Sequence, residues 1–309
     1  MTNTTNPKKQ LIVLVGPTAI GKTAMGIHLA KHFKAEIISA DSRQFYREIG
    51  IGTAKPTNEE MDGIPHHFIH SHSITEDYNV SDFEKDALNL LNQLFKTNNY
   101  AILVGGSGMY VDALCYGMDE GMPDPDESIR AELQDKLDSE GLAALQEQLK
   151  TLDPEFYNEI DLHNANRLIR AIEVCLITGK TYSSLRKGSV KKRPFEIIRI
   201  GLEMDRAELY NRINQRVDLM LAAGLEKEVR SVEAYKNHNA LKTVGYREFF
   251  NHFDGEMTFD ETVEKIKVNS RRYAKRQLTW FKKDKNTEWF LPNHVEEIVN
   301  FITFKQRNG

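Results

Sequence analysis

The 309 residues are 40% hydrophobic and 28% charged with a net charge of −4, an ordinary soluble composition whose length suggests about two domains. No apolar run reaches the roughly 20 residues of a membrane helix, and the polar start MTNTTNPKK precedes too short an apolar run for a signal peptide, so a cytoplasmic protein without membrane association is expected. Two cysteines, Cys115 and Cys175, lie in apolar helical contexts without CxxC spacing, which reads as reduced core residues rather than a disulfide or a zinc site.

The first predicted element is a buried strand at 11–15, LIVLV, short and β-branched. It ends at Gly16, and Gly16-Pro17-Thr18-Ala19-Ile20-Gly21-Lys22-Thr23 fits G-x-x-x-x-G-K-[ST]. Residues 24–34 follow with helical spacing, placing Met25, Leu29 and Phe33 on one face. Strand, glycine loop and helix together make this pattern specific for a di- or triphosphate. Free N–H groups at the helix start point into the loop, and the helix dipole adds partial positive charge. Lys22 adds a full charge, and the Thr23 hydroxyl is placed to ligate Mg²⁺ on the phosphates. The loop alone leaves the ligand and its chemistry open.

Residues 36–40, EIISA, are the next predicted strand, ending at Asp41, Ser42, Arg43 and Gln44. In open α/β sheets the working residues sit past the carboxyl ends of strands. Parallel strands would therefore put Asp41 on the edge that carries the phosphate loop, although an Asp there is also a common turn or helix cap. Residues 45–64 read as a loop long enough to be functional. His66, His67, His70 and His72 follow on a predicted strand, where their spacing does not place four rings around one ion; structural or polar roles are favoured over metal. A helix over 81–96 is predicted from Ser81 as N-cap with Glu84 three residues on. Another buried strand, 100–104, ends in Gly105-Gly106-Ser107-Gly108-Met109-Tyr110. This second Gly-rich turn would bring backbone close to a ligand or pack a helix tightly on the sheet. No apolar run ends in a Walker B aspartate, which weakens a standard ATPase assignment.

Gly121, Pro123 and Pro125 mark a break, after which helices are predicted at 128–137, 141–150, 164–178 and 182–187. Strand character resumes at 195–200. This is the pattern of a helical insertion, 121–193, in an α/β core made of 1–120 and 194–309. A capped helix starts at Asp205, with Leu209, Ile213, Val217 and Met220 at helical spacing. Arg212 and Arg216 are one turn apart on it and can reach the same anion. A long basic helix over 262–283 and a short strand at 288–291 complete the prediction. Charge is segregated: 118–161 carries 14 acidic side chains against 3 basic, and 265–285 carries 9 basic against one Asp, with Tyr273, Trp280 and Phe281 interleaved. The modest net charge therefore says less about nucleic-acid binding than this distribution does.

GPTAIGKT at 16–23, DSRQFYREIGIGTAKP at 41–56, GGSGMY at 105–110, NRLIRAIEV at 166–174, VGYRE at 244–248 and KRQLTWF at 275–281 together resemble, in the same order, the bacterial tRNA dimethylallyltransferases (tRNA isopentenyltransferases). The resemblance covers nearly the whole chain. It implies an α/β fold with a P-loop NTPase-like parallel sheet core, a helical insertion that grips the anticodon stem, and Mg²⁺. It also implies transfer of a dimethylallyl group from dimethylallyl diphosphate to N6 of adenosine 37 of tRNA.

On that resemblance Asp41 is the general base, with Ser107, Lys22 and Arg216 as catalytic partners, Arg212 being a nearby competitor of Arg216. Contacts to tRNA are implied for Asp41, Ser42, Arg43 and Gln44, for Ser107 and Arg130, and for Asn166, Arg167, Leu168, Ile169 and Arg170. They are implied also for Lys242, Thr243, Val244, Gly245, Tyr246 and Arg247, and for the basic helix. Ser107 replaces a usual Thr, Met109 a usual Leu, and HHFIHSHSI a commoner HHLIDI-like block; the bacterial form, without the zinc-finger extension of many eukaryotic relatives, is expected. A monomer is expected. The competing readings are a P-loop small-molecule or nucleoside kinase, with the acid after the second strand as base, and a regulatory ATP-dependent RNA-binding protein without prenyl chemistry.

Overall fold

The computed structural model describes residues 8–119, 121–186, 188 and 190–308. Six strands form one sheet: β1 Gln10–Val15, β2 Ile37–Ala40, β3 His66–His67, β4 Tyr100–Gly105, β5 Glu196–Leu202 and β6 Glu288–Phe290. All pairs are parallel and the order is β3-β2-β4-β1-β5-β6. Every residue of β1 and β2 is buried, as expected of parallel strands with helices on both faces, which read as continuous apolar runs.

The sheet order decides where the site lies. β4 inserts between β1 and β2, and Gly105 is in register with Val15 on one side and Ala40 on the other. The three strand exits stand side by side, so the Gly-rich turn after β4 separates the phosphate loop from Asp41. A Cβ on Gly105 would lie 2.4 Å from the Ala40 carbonyl oxygen. Only glycine permits that approach, because a backbone atom cannot swing aside.

The chain divides into two compact units, Met1–Cys115 with Lys192–Gly309, and Tyr116–Lys191. The second unit is helical: Glu127–Glu140, Leu142–Leu152, Pro154–Glu159, Ala165–Thr178 and Tyr182–Leu185. It has its own core, including Leu133, Leu145, Leu149, Phe156, Leu168 and Ile172. Pro154–Glu159 was not predicted. At six residues it is too short for periodicity, and its signals are Asp153, which accepts from the Phe156 N–H at 3.0 Å, and Pro154 in the first turn.

Three other boundaries differ from expectation. The helix Val80–Thr97 starts at Asn79, not Ser81, through a reciprocal box with Asp82; Asn accepts from the first-turn N–H groups as well as Ser does. The predicted loop at 45–64 contains the one-turn helix Asn58–Met61. The long basic helix spans Phe259–Phe281, capped by Thr258 with Glu261. A terminal helix, Val295–Asn308, was missed although Val295, Ile298, Val299 and Ile302 repeat at helical spacing; Ile298 and Ile302 are fully buried in the main core. Among the described residues no helix is long and apolar enough to cross a membrane. Cys115 and Cys175 are both buried and free.

Candidate active site

The phosphate loop has the cradle geometry. Gly21, at φ 103°, is the N-cap of the helix Lys22–Phe33, a conformation that glycine adopts without strain. Lys22 Nζ folds back on its own loop, donating to the carbonyls of Gly16 at 2.9 Å and Pro17 at 2.8 Å. Burial pulls its pKa down to about 7; Asp41 opposes that fall and Arg216 adds to it. Residues 18–23 line a cavity of about 350 Å³ together with Asp41, Gln44, Gly105, Gly106, Arg212 and Arg216. Ile20 is fully buried, so it serves the loop through its backbone.

Asp41 stands at the exit of β2 and accepts from the Arg43 N–H at 3.1 Å. Ser107, at the exit of β4, accepts from the Ser42 N–H at 3.0 Å and donates to Ser42 Oγ at 3.1 Å; its own N–H reaches the Ala40 carbonyl at 3.2 Å. The hydroxyl that replaces the usual threonine is thus tied to the residue after Asp41. Both Gln44 amide hydrogens go to carbonyls, of Thr53 at 3.2 Å and Ala54 at 3.3 Å. Its Oε1, held by Ser39 Oγ at 3.2 Å, keeps spare accepting capacity.

A second cavity of about 290 Å³ lies against the first. Asp41, Thr18, Thr53, Arg216 and Tyr273 line both. Ser42, Arg43, Lys242, Thr243, Val244, Gly245 and Arg247 line only the second, so the chain passes from one cavity to the other at Asp41. Arg216 Nη1 donates to Thr18 Oγ1 at 3.4 Å. Burial lowers the Arg216 pKa, with Asp41 acting the other way. Burial likewise raises the Tyr273 phenol, Asp41 adds to this, and a hydrogen bond with Ser107 opposes it; the phenol keeps its proton at neutral pH.

The residues expected to touch RNA differ in burial and in the partners they already have. Leu168 and Ile169 lie in the core of the helical unit, on the apolar stripe of the helix Ala165–Thr178, whereas Asn166 and Arg167 on the same helix are exposed. Tyr246 is fully buried and donates its hydroxyl to Glu228 at 2.5 Å. The side chains of those three face the interior, since an apolar stripe and a large ring fill a core before they meet solvent. Arg130 and Arg170 both pair with Glu173, at 2.8 and 2.6 Å. The four histidines part company: His66 bonds the Ile64 carbonyl, His67 the Glu36 carboxylate, His70 meets Lys55, and His72 stacks on Tyr78. Among the described residues no three metal-ligating side chains converge.

Three residues receive no individual role from the sequence: Tyr273 and Gln277, which stand out only as parts of the basic aromatic stretch and the KRQLTWF block, and Glu228. Gln277 and Tyr273 belong to the site through the inner face of the basic helix, where the i, i+4 spacing is the available signal. Glu228 accepts from the N–H groups of Gly50, Ile51 and Gly52 at 2.7, 2.8 and 2.9 Å, and so fixes the loop that carries Thr53 and Ala54. Its signal lies in the glycines, which leave the amides accessible.

Residues 44–284 match the family model described as IPP transferase. The chain is 49% identical over 294 residues to tRNA dimethylallyltransferase 1 of Bacteroides fragilis, covering 95% of this chain and 97% of that one. It is 50% identical over 301 residues to the tRNA dimethylallyltransferase of Flavobacterium johnsoniae, covering 95% and 97%. Among solved structures, the tRNA isopentenylpyrophosphate transferase of Bacillus halodurans superposes with TM-score 0.73 at 39% identity, covering 97% of this chain and 98% of that one. A eukaryotic dimethylallyltransferase acting on tRNA superposes with TM-score 0.77 at 25% identity, covering 93% and 75%. These relatives are named for prenyl transfer, not for phosphoryl transfer as a kinase would be. The chain belongs to the IPP transferase family, the tRNA dimethylallyltransferases.

Proposed function

We propose that the protein transfers the dimethylallyl group of dimethylallyl diphosphate to N6 of adenosine 37 in tRNA, releasing diphosphate. The observation that carries this reading is the wall shared by two adjoining cavities, in which Asp41, Thr18, Arg216 and Tyr273 face both. One cavity has a phosphate cradle; the other is bordered by Arg43, Lys242, Arg247 and Arg276, cations suited to an RNA backbone. Diphosphate would occupy the cradle with its five-carbon tail directed at the shared wall, and the base would enter from the basic side.

The chemistry needs three things. The C1–O bond of the donor breaks with its electron pair passing to diphosphate, and the amides of 19–23, Lys22 and Arg216 stabilise that charge. The N6 lone pair forms the new bond to C1. The N6 proton goes to the Asp41 carboxylate, with Ser107 and the protonated Tyr273 holding the amine in line. Mg²⁺ fits the residues present: Thr23 borders the same cavity as Asp41, and Mg²⁺ favours few protein oxygens plus substrate phosphates. When bound it would neutralise charge on the leaving diphosphate.

To reach the wall, adenosine 37 must leave its stack, at a cost of about a few kcal/mol. Asn166, Arg167 and Arg170 of the helical unit would hold the anticodon stem by shape and phosphate. The test incubates the protein with Mg²⁺, unmodified tRNA and dimethylallyl diphosphate, and looks by mass spectrometry for one added prenyl group on adenosine 37. No gain with the prenyl donor, or phosphoryl transfer from ATP instead, rules the reading out.

A further inference from the structure

Gln277 lies on the inner face of the helix Phe259–Phe281 and is only 5% exposed. Its Oε1 accepts from the Thr18 N–H at 2.8 Å and its Nε2 donates to the Gly106 carbonyl at 2.9 Å. One carboxamide thereby joins the exit of β1 to the exit of β4. The first carries Lys22 and the second carries Ser107. A Cβ on Gly106 would come 2.3 Å from Gln277 Nε2, so a side chain there would push that amide aside. Thr18 is gripped twice, by Gln277 through its backbone and by Arg216 through its hydroxyl.

We propose that Gln277 is a positioning residue for the donor diphosphate, setting the phosphate loop at its working distance from Ser107. An amide suits this place because it needs an acceptor on one side and a donor on the other, with no charge beside the anion. A carboxylate would keep the bond to Thr18, lose the one to Gly106, and repel diphosphate. A methionine of similar length would lose both bonds and leave two polar backbone groups without their partner. This inference rests on the reading of the cradle as the donor site.

The test uses the full-length protein with Mg²⁺ and inorganic pyrophosphate as probe, by titration calorimetry, alongside tRNA filter binding and the KM and kcat for dimethylallyl diphosphate. Gln277→Met should weaken pyrophosphate binding about tenfold, since both hydrogen bonds that hold the cradle are lost and part of that loss, about the worth of one buried bond, falls on the ligand, and should raise the donor KM by a similar factor. Gln277→Glu should weaken it further. Gly106→Ala, which leaves Gln277 in place but displaces its amide, should move pyrophosphate affinity the same way. Affinity for tRNA should stay within about twofold in all three. Unchanged pyrophosphate affinity with a lowered melting temperature would reduce Gln277 to a packing role, and a loss confined to tRNA binding would move it to the RNA side; either overturns the proposal. A wild-type protein that binds pyrophosphate but transfers no prenyl group would sink the functional reading while leaving this one standing.

Discussion

Arg130 grips Glu173 at two points, donating from Nε to Oε1 at 2.8 Å and from Nη2 to Oε2 at 3.2 Å. The Glu173 side chain is wholly buried, whereas that of Arg130 is 44% exposed. Arg170 Nη1 adds a bond to Oε2 at 2.6 Å and the Asp126 N–H one to Oε1 at 2.8 Å. The two arginines expected to face RNA therefore already hold one internal carboxylate, and the helical unit depends on them whether or not tRNA is bound.

Glu173→Gln should destabilise the protein by about 1–3 kcal/mol, seen as a lower melting temperature. Burial pushes the Glu173 carboxyl up, but the bonds from Arg130, Arg170 and the Asp126 N–H outweigh it and hold the pKa below the ordinary value. A carboxyl with a depressed folded pKa contributes its stability above the unfolded value and loses it as pH falls through the folded one. Urea unfolding should show the wild type and the variant converging in acid; a gap that is the same at neutral and acid pH would remove Glu173 as the cause.

Lys22 predicts a proton taken up on ligand binding. Its pKa of about 7 leaves most of the amine neutral at about pH 8, and a diphosphate beside it would restore the charge. Binding of dimethylallyl diphosphate, whose diphosphate is fully ionised at about pH 8, should absorb close to one proton, read from calorimetry in buffers of different ionisation enthalpy. Equal heats in both buffers contradict it. The unfolded chain binds this proton more tightly than the folded one, so the Lys22 contribution to stability rises from about pH 7 towards the ordinary lysine value of 10.5.

Asp41→Asn keeps the shape of the shared wall and removes the base. Single-turnover rates should fall about 10²–10⁴-fold, while tRNA affinity changes little. Full rate in the variant would exclude Asp41 as proton acceptor.

Arg272, Lys275 and Arg276 are exposed on the outer face of the helix Phe259–Phe281. Replacing each by Glu should weaken tRNA binding, and every phosphate left without its cation should reduce the slope of log affinity against log salt by about one. A slope unaltered by all three would take this face out of the RNA interface.

Local chemistry was legible where a few adjacent residues decide the backbone. The β1–glycine loop–helix unit, β4 with its Gly-rich turn, and the cap at Asp205 stand where the sequence pointed. Resemblance carried further, to the family, but did not say that the side chains of Leu168, Ile169 and Tyr246 face the interior. A motif block marks a stretch as near a substrate without saying which way each side chain turns, and helical periodicity turns these three inward. Gln277 was hidden for the opposite reason: a basic, aromatic run draws attention to the outer face of its helix.

The amino-acid order alone determined the anion cradle, since the turn at Gly16 and Gly21, the free amides and Lys22 all arise within eight consecutive residues. Tertiary structure decided what stands around it. Only the placing of β4 between β1 and β2 sets Ser107 between loop and base, and only packing brings Gln277 and Arg216 to Thr18 across 259 and 198 residues of chain. The physical reason is range. Dihedral preferences and helix dipoles act over a few residues, whereas hydrogen bonds between distant segments form only after burial of the sheet and its helices has closed the long loops between them.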